Sequence, residues 1–314
     1  MLAGKRVLVT GAAGFLGTYL SDYLRTQDCL VFGVDKVPAR STEAFEQFTI
    51  GDLAEEAERC VGDFEPAVVF HLAGSSSVPE SVRDPFGDLL TTLPGTARLL
   101  AATAKSSTAP KLVYFSSAAV YGQPTRLPVR EDCPVRPLSP YGAHKAACET
   151  LLEHYARIYG LQVSILRIFS AYGEGLRKQF FWDFAGRAFA AHASGAKQVS
   201  VLGTGDESRD FIHAEDVVRA ACLAAQGAGQ GVEVFNVAAG QETPIAWAAE
   251  NLLRLLGLEL AFEFQGVATP GQPTRWIGDT SRLAALGFRV EQSLESRLPA
   301  LARWIAAQHG RVGD

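Results

Sequence analysis

Cysteine is scarce in this 314-residue chain and falls in no recognisable pairing pattern. Cys29, Cys60, Cys133, Cys148 and Cys222 form no C-x-x-C pair, and their odd number argues against a disulfide framework. They read as reduced fillers of small apolar space. The six histidines show no metal-ligand spacing, so no metal site is expected, and His71 and His144 read as structural. No apolar run reaches the roughly 18 residues that a membrane span needs. A net charge of −5 offers no basic footprint for nucleic acid. Met1 to Lys5 leads almost directly into a first strand, which leaves no room for a signal peptide. Repeats and low-complexity tracts are also missing. These absences predict a reduced, metal-free, cytoplasmic protein that engages neither membrane nor nucleic acid.

What is present is an ordinary globular composition, 47% hydrophobic and 20% charged. Short apolar runs recur near residues 5–10, 29–34, 67–71, 111–115 and 163–168, separated by helix-length intervals. A further strand candidate spans residues 232–237. That alternation predicts an α/β fold with a doubly wound parallel sheet and right-handed crossovers. Ser77-Val-Pro-Glu80 reads as a capping box that opens a helix toward residue 105. After about residue 170 the alternation degrades. The aromatics Phe180, Phe181, Trp182 and Phe184 follow a glycine-bearing loop into a helix, and residues 294–307 close the chain as an amphipathic helix.

The first strand runs into Gly11-Ala-Ala-Gly14-Phe-Leu-Gly17, after which Leu16, Leu20 and Leu24 recur at helical spacing. Strand, glycine turn and helix together present backbone N–H groups at a positive helix end, suited to a pyrophosphate. The second strand ends in Asp35, about 20 residues beyond the glycine turn, where a carboxylate holds ribose hydroxyls. Asp35 repels a 2′-phosphate and so favours NAD over NADP, while Lys36 and Arg40 soften that preference.

Ser139-Pro140 supplies a cap and a first-turn proline for a helix carrying Tyr141 and, one turn later, Lys145. Residues i and i+4 share a helix face, so phenol and ammonium project side by side. A fixed positive charge favours phenolate. Bringing a Tyr from ~10 to about 7 takes roughly 4 kcal/mol, more than a lysine alone supplies.

These residues resemble the extended short-chain dehydrogenase/reductase family, in its nucleotide-sugar epimerase/dehydratase branch. The likeness runs almost end to end. Thr10 to Gly17 is similar to the family's cofactor loop, with Gly11, Ala13, Gly14, Phe15, Leu16 and Gly17 against the dinucleotide. Asp35 and Lys36, then Asp52-Leu53, resemble the ribose and adenine contacts. His71-Leu72-Ala73-Gly74 resembles the fourth-strand motif, and Thr92 and Phe169 fall at further cofactor positions. Val113 to Gly122 resembles the strand that carries the catalytic serine. The resemblance implies that Ser117 is the triad hydroxyl, Tyr141 the acid/base and Lys145 its partner, which also holds the nicotinamide ribose. It further implies NAD as cofactor and a nucleotide-diphosphate sugar as substrate, contacted by Ser76, Ser117, Ser170, Arg209, Arg275 and Trp276. A Rossmann-type unit over residues 1–170, with a returning segment near 210–240, would carry a smaller α/β substrate unit over 171–314. A homodimer paired through helices near 79–105 and 140–160 is expected on the same grounds.

Departures narrow the chemistry. Ala118 and Ala119 stand where sugar dehydratases carry acidic residues, so a dehydratase is disfavoured. Ser170 replaces a common Asn, and the family's second phosphate-binding Arg is missing, with Arg275 as the candidate to serve in its place. Trp276 would disfavour N-acetylated sugars. Arg209 is either the diphosphate clamp or a surface Arg paired with Glu207 or Asp210. The leading function is an NAD-dependent nucleotide-sugar 4-epimerase. An NAD(P)H-dependent 4-keto-sugar reductase stands next, and a non-catalytic dinucleotide-binding regulator after it.

Overall fold

The computed structural model describes residues 2–227, 229 and 231–310. The chain opens with β1 (Arg6–Thr10), α1 (Phe15–Thr26), β2 (Leu30–Asp35), β3 (Gln47–Ile50), α2 (Leu53–Gly62) and β4 (Val68–His71). It continues through α3 (Val78–Arg83), α4 (Pro85–Lys105), β5 (Lys111–Ser117), a 3-10 turn (Ala118–Tyr121), α5 (Pro140–Tyr159) and β6 (Val163–Ile168). Then follow β7 (Ser170–Tyr172), α6 (Gln179–Ala193), β8 (Gln198–Val201), β9 (Ser208–Arg209), β10 (Phe211–His213), α7 (Ala214–Gln226) and β11 (Val232–Val237). The last elements are β12 (Thr243–Pro244), α8 (Ile245–Leu256), β13 (Ala261–Phe264), α9 (Ser281–Ala285) and α10 (Leu294–Gly310).

Seven strands form one sheet in the order β11-β6-β5-β4-β1-β2-β3, with every neighbouring pair parallel. Strand residues alternate between faces, and each face is buried. Val7, Val9, Val68, Phe70, Val113 and Phe115 pack with α1 and α7 on one side. Leu8, Phe32, Val34, Val69, Leu112 and Tyr114 pack with α2, α4 and α5 on the other. A third core joins α6, α8 and α10 to β8, through residues such as Phe184, Val199, Leu252 and Leu298. The Rossmann-type doubly wound sheet expected from the sequence is therefore the fold, and a smaller cluster of helices and short strand pairs lies beyond it.

Two expectations need correction. The helix expected from residue 79 to 105 is two helices, α3 and α4, broken at Asp84 (φ −135, ψ 79). A residue before proline is driven out of the helical region by the ring of Pro85. Asp84 then caps the second helix, its Oδ1 accepting from Gly87 N at 2.9 Å. The edge strand β3 also escaped the sequence reading: it is four residues long, mixed in polarity, and Ile50 is exposed.

Between the C-terminal ends of β1 and β4 the chain order reverses, and at such a point a parallel sheet opens a crevice. The floor beneath it is a buried polar chain. His71 sits between Thr10, with Nδ1 2.8 Å from Oγ1, and Thr96, with Nε2 2.9 Å from Oγ1. Thr10 Oγ1 in turn accepts from Ala73 N at 3.2 Å.

Burial, with Lys145 nearby, lowers His71 from its ordinary value to about 3. Because the folded value is depressed, the unfolded chain takes up this proton first. Stability is therefore lost as pH falls from about 6.5 toward 3, at up to about 1.4 kcal/mol per pH unit. Urea midpoints of wild type and His71→Asn measured at several pH values should converge as pH falls across that window. A gap of constant size would show that His71 does not titrate there.

Candidate active site

The glycine turn is built by close contact. Gly11 has φ +69, and a Cβ there would stand 2.7 Å from Ala73 N. A Cβ on Gly17 would lie 2.2 Å from Gly11 O. Helix α1 starts at the N-cap Gly14 with no side-chain cap, so its first-turn amides remain open to a ligand. Asp35 closes the turn from β2: Oδ2 accepts from Ala13 N at 2.9 Å and Oδ1 from Val37 N at 3.3 Å. Asp52 caps α2 through Ala54 N and pairs with Lys36 Nζ at 2.9 Å. Lys36 is thereby neutralised rather than offered to a 2′-phosphate, which strengthens the preference for NAD. A backbone cradle that only glycine fits, an open helix end and a carboxylate at the end of β2 suit a dinucleotide.

A cavity of about 980 Å³ runs from this turn along the crevice. Gly11, Gly14 to Gly17, Asp35, Lys36, Asp52, Leu53, Leu72 to Gly74, Thr92 and Phe169 line it, as do Ser76, Ser117, Tyr141, Lys145, Ser170, Arg209 and Trp276. Two of the residues singled out from the sequence are not in its lining. Ala13 spends its amide on Asp35. Arg275 is bound to Glu242, Nε to Oε1 at 2.7 Å and Nη2 to Oε2 at 2.8 Å, with its side chain in solvent. The carboxylate holds Arg275 in a surface ion pair outside the cavity lining.

Ser117 ends β5, and Tyr141 and Lys145 ride the first turns of α5. Ser139 Oγ accepts from Gly142 N at 3.2 Å to start that helix, and Ser81 Oγ accepts from Tyr141 N at 3.0 Å to dock α3 against it. Lys145 Nζ donates to Phe115 O at 3.0 Å and lies 5.9 Å from the centre of the Tyr141 ring. Contrary to the sequence argument, the protein's own groups do not lower the phenol. Burial pushes Tyr141 up to about 12, with the Ser117 hydroxyl pulling the other way and the Asp88 charge adding to the rise. Burial likewise lowers Lys145, against the pull of Cys148, Asp88 and Glu149. Desolvation of two buried groups outweighs one charge about a helical turn away.

Behind the trio lies a pair that the sequence did not disclose. Arg167 on β6 binds Glu149 on α5, with Nη2 2.7 Å from Oε2, and Ser116 Oγ donates to Glu149 Oε1 at 2.5 Å. Both charges are buried.

On the opposite wall, Arg209 is buried and held by neutral oxygens. Its Nη1 donates to Ser208 O at 2.7 Å and Thr274 O at 3.2 Å, and its Nη2 to Gln272 Oε1 at 2.8 Å. Neither acidic neighbour pairs with it: Glu207 accepts from Thr204 N and Gly205 N, and Asp210 from the amides of Ala239, Gly240 and Gly278. Burial lowers the guanidinium to about 10, which leaves it fully cationic at neutral pH. Trp276 packs edge-on against Phe169 and lies 5.7 Å from the guanidinium. Sequence reasoning missed Arg177, Lys178 and Arg187, which bring further positive charge to the same cavity. Their position in a segment without a motif left no signal to find them.

Fold and cleft define a dinucleotide-binding α/β protein with a hydroxyl, a phenol and an amine at the cofactor crevice. Residues 7–238 match the model of the NAD dependent epimerase/dehydratase family, and the chain belongs to that family, with NAD as its cofactor. UDP-glucose 4-epimerase of Mycolicibacterium smegmatis is 36% identical over 76% of this chain and 78% of its own length. GDP-6-deoxy-D-mannose reductase of Pseudomonas aeruginosa is 34% identical over 82% of each chain. The solved structure of MoeE5 in complex with UDP-glucuronic acid and NAD superposes with a TM-score of 0.85 at 31% identity, covering 96% of this chain and 99% of that one.

Gly11→Ala should abolish retention of NAD, because the new Cβ meets backbone and the left-handed conformation costs about 1–2 kcal/mol. Gly62→Ala, at the end of α2 with nothing within 4 Å of its Cβ, should be neutral or stabilise the fold by up to about 1 kcal/mol. Absorbance of released cofactor and thermal unfolding of both variants check the pair.

Proposed function

We propose that this protein is an NAD-dependent nucleotide-sugar 4-epimerase. The observation that carries the reading is a Ser117–Tyr141–Lys145 trio in one cavity with a glycine cradle and a buried arginine that, among the described residues, pairs with no carboxylate. NAD, when bound, supplies a hydride acceptor and donor at sugar carbon 4 and a positive ring that favours the phenolate. Tyr141 takes the proton from the carbon-4 hydroxyl and later returns one. Ser117 hydrogen-bonds the same oxygen, and Lys145 holds the nicotinamide ribose and opposes protonation of the phenolate. Arg209 grips the diphosphate through charge-assisted bonds. Inverting a centre requires the sugar to present both faces, so the nucleotide must be held firmly and the sugar loosely. The buried Ala118 and Ala119 beside Ser117 offer no carboxylate for removing a proton at carbon 5, which speaks against dehydration.

In this reading residues 1–170, with the returning segment near 210–240, bind the dinucleotide, and most of 171–314 binds the sugar nucleotide. The protein acts in the cytoplasm as a homodimer, paired through α4 and α5, whose Phe86, Leu90, Ile158 and Tyr159 are exposed. A 4-keto-sugar reductase would use the same trio once and consume reduced cofactor, and the relative named as a GDP-6-deoxy-D-mannose reductase keeps that reading in view.

Purified protein should carry NAD and interconvert UDP-glucose and UDP-galactose without added reductant. Tyr141→Phe should keep the cofactor and lose roughly 100-fold or more in turnover. Stoichiometric consumption of NADH or NADPH would overturn the epimerase in favour of the reductase, and an unchanged rate in the variant would remove Tyr141 from its role.

A further inference from the structure

Asp210 lies between β9 and β10, next to Arg209, and is fully buried. Among the described residues its carboxylate pairs with no cation and instead collects backbone amides from two distant stretches of chain. Oδ1 accepts from Ala239 N at 2.7 Å, and Oδ2 accepts from Gly240 N and from Gly278 N, each at 3.0 Å. The Asp210 carbonyl accepts from Ser170 N of β7 at 3.0 Å. One residue therefore fastens β7, the turn after β11 and the segment 272–278 to the strand that carries Arg209. Burial pushes the carboxyl up to about 6, with the amides of Gly278, Ala239 and Gly240 pulling the other way, so it is largely ionised near neutral pH.

The segment 272–278 is also the one that holds the guanidinium. Arg209 Nη2 donates to Gln272 Oε1 at 2.8 Å and Nη1 to Thr274 O at 3.2 Å, while Ser208 N donates to the same Thr274 carbonyl at 3.0 Å. Trp276 follows, 5.7 Å from the guanidinium, and then Gly278 reaches the carboxylate. That close approach needs a residue without a side chain, because a Cβ on Gly278 would stand 2.8 Å from Ala238 Cβ. A guanidinium and the oxygens it binds can swing together, since each orients only the other. The contact from Asp210 to Gly278 involves neither, and it ties the far end of the segment to β9 independently.

We propose that Asp210 is a positioning residue for Arg209: by pinning Gly278 and the turn at Ala239 and Gly240, it keeps Gln272 and Thr274 where they aim the guanidinium into the cleft. The proposal rests on the reading of Arg209 as the diphosphate clamp and extends it to a residue whose own charge opposes an anion. That opposition fixes a sign. Acting through space alone, the carboxylate repels a diphosphate, and removing its charge would tighten binding. Acting by position, its removal weakens binding.

UDP binding to the NAD-loaded protein can be measured calorimetrically near neutral pH for wild type, Asp210→Asn, Arg209→Met and the double variant. Asparagine keeps the shape but offers one acceptor oxygen in place of two, so at least one amide is left facing an NH2 group. Asp210→Asn should retain NAD and bind UDP about tenfold or more weakly, the range of one charge-assisted hydrogen bond. Arg209→Met should lose at least as much, and in that background Asp210→Asn should cost less than about twofold further, because the two act as one unit. A merely structural role would weaken UDP equally with and without the Arg209 side chain, and that result would overturn the proposal. Unchanged or tighter UDP binding in Asp210→Asn would do the same. Asp210→Ser, smaller and still an acceptor, repeats the measurement if the asparagine does not fold, and loss of NAD or of folding in both variants would make Asp210 a scaffold of the whole cleft and refute the assignment. Arg209→Met that binds UDP as well as wild type would sink the clamp reading and the proposal together, whereas equal losses in the two backgrounds sink the proposal alone.

Discussion

Ser117 and Tyr141 sit on different elements, and their spacing depends on the buried ion pair between Glu149 and Arg167. Glu149 lies two turns beyond Tyr141 on α5, and Arg167 lies on β6 beside Ser116 of β5. Ser116 Oγ donates to the same carboxylate, so the residue adjoining Ser117 is tied to the helix that carries the phenol. Arg167 spends its remaining donors and its flat face on Glu131 O and on the Tyr121 ring 4.8 Å away. A buried pair of this kind gains little net stability over a well-packed apolar substitute, but losing one partner costs about 3–5 kcal/mol. Its benefit is geometric. It locks helix to strand in one register, whereas apolar packing tolerates small slides.

Desolvation is the largest influence on Tyr141, Lys145 and Arg209. It raises Tyr141, lowers Lys145, and lowers Arg209 while leaving that guanidinium charged. The contrast between the two arginines near the nucleotide wall is instructive. Arg275 found a carboxylate and became a surface ion pair, whereas Arg209 found two carbonyls and an amide oxygen, which orient it without neutralising it. Only the second arrangement leaves a cation with unspent charge facing a cavity. The same logic separates Lys36, paired with Asp52, from Lys178, which among the described residues donates to the Ser76 hydroxyl and pairs with no carboxylate.

Much of this was legible in the chain. Strand runs, the glycine turn, Asp35 at the end of β2 and the Tyr-x-x-x-Lys spacing are local patterns, read without knowing what lies opposite. Five of the sheet's seven strands follow from such runs early in the chain and a sixth from the later run at 232–237. β3 escaped because a short, half-exposed edge strand has no apolar signature. The break at Asp84 is written in Asp84-Pro85, since the proline ring drives the preceding residue out of the helical region.

Local pattern determined most of the elements and which side chains have the chemistry for the reaction, because backbone preferences and helix or strand periodicity act within a few residues. Tertiary structure alone decided which charges are spent and which remain available. Arg275 and Glu242, Arg167 and Glu149, and Lys178 and Ser76 each come from separate stretches of chain, and no spacing rule brings them together. The state of the phenol was likewise decided in three dimensions, because the burial that outweighs the neighbouring ammonium is a property of the packed site and not of the helix that carries both.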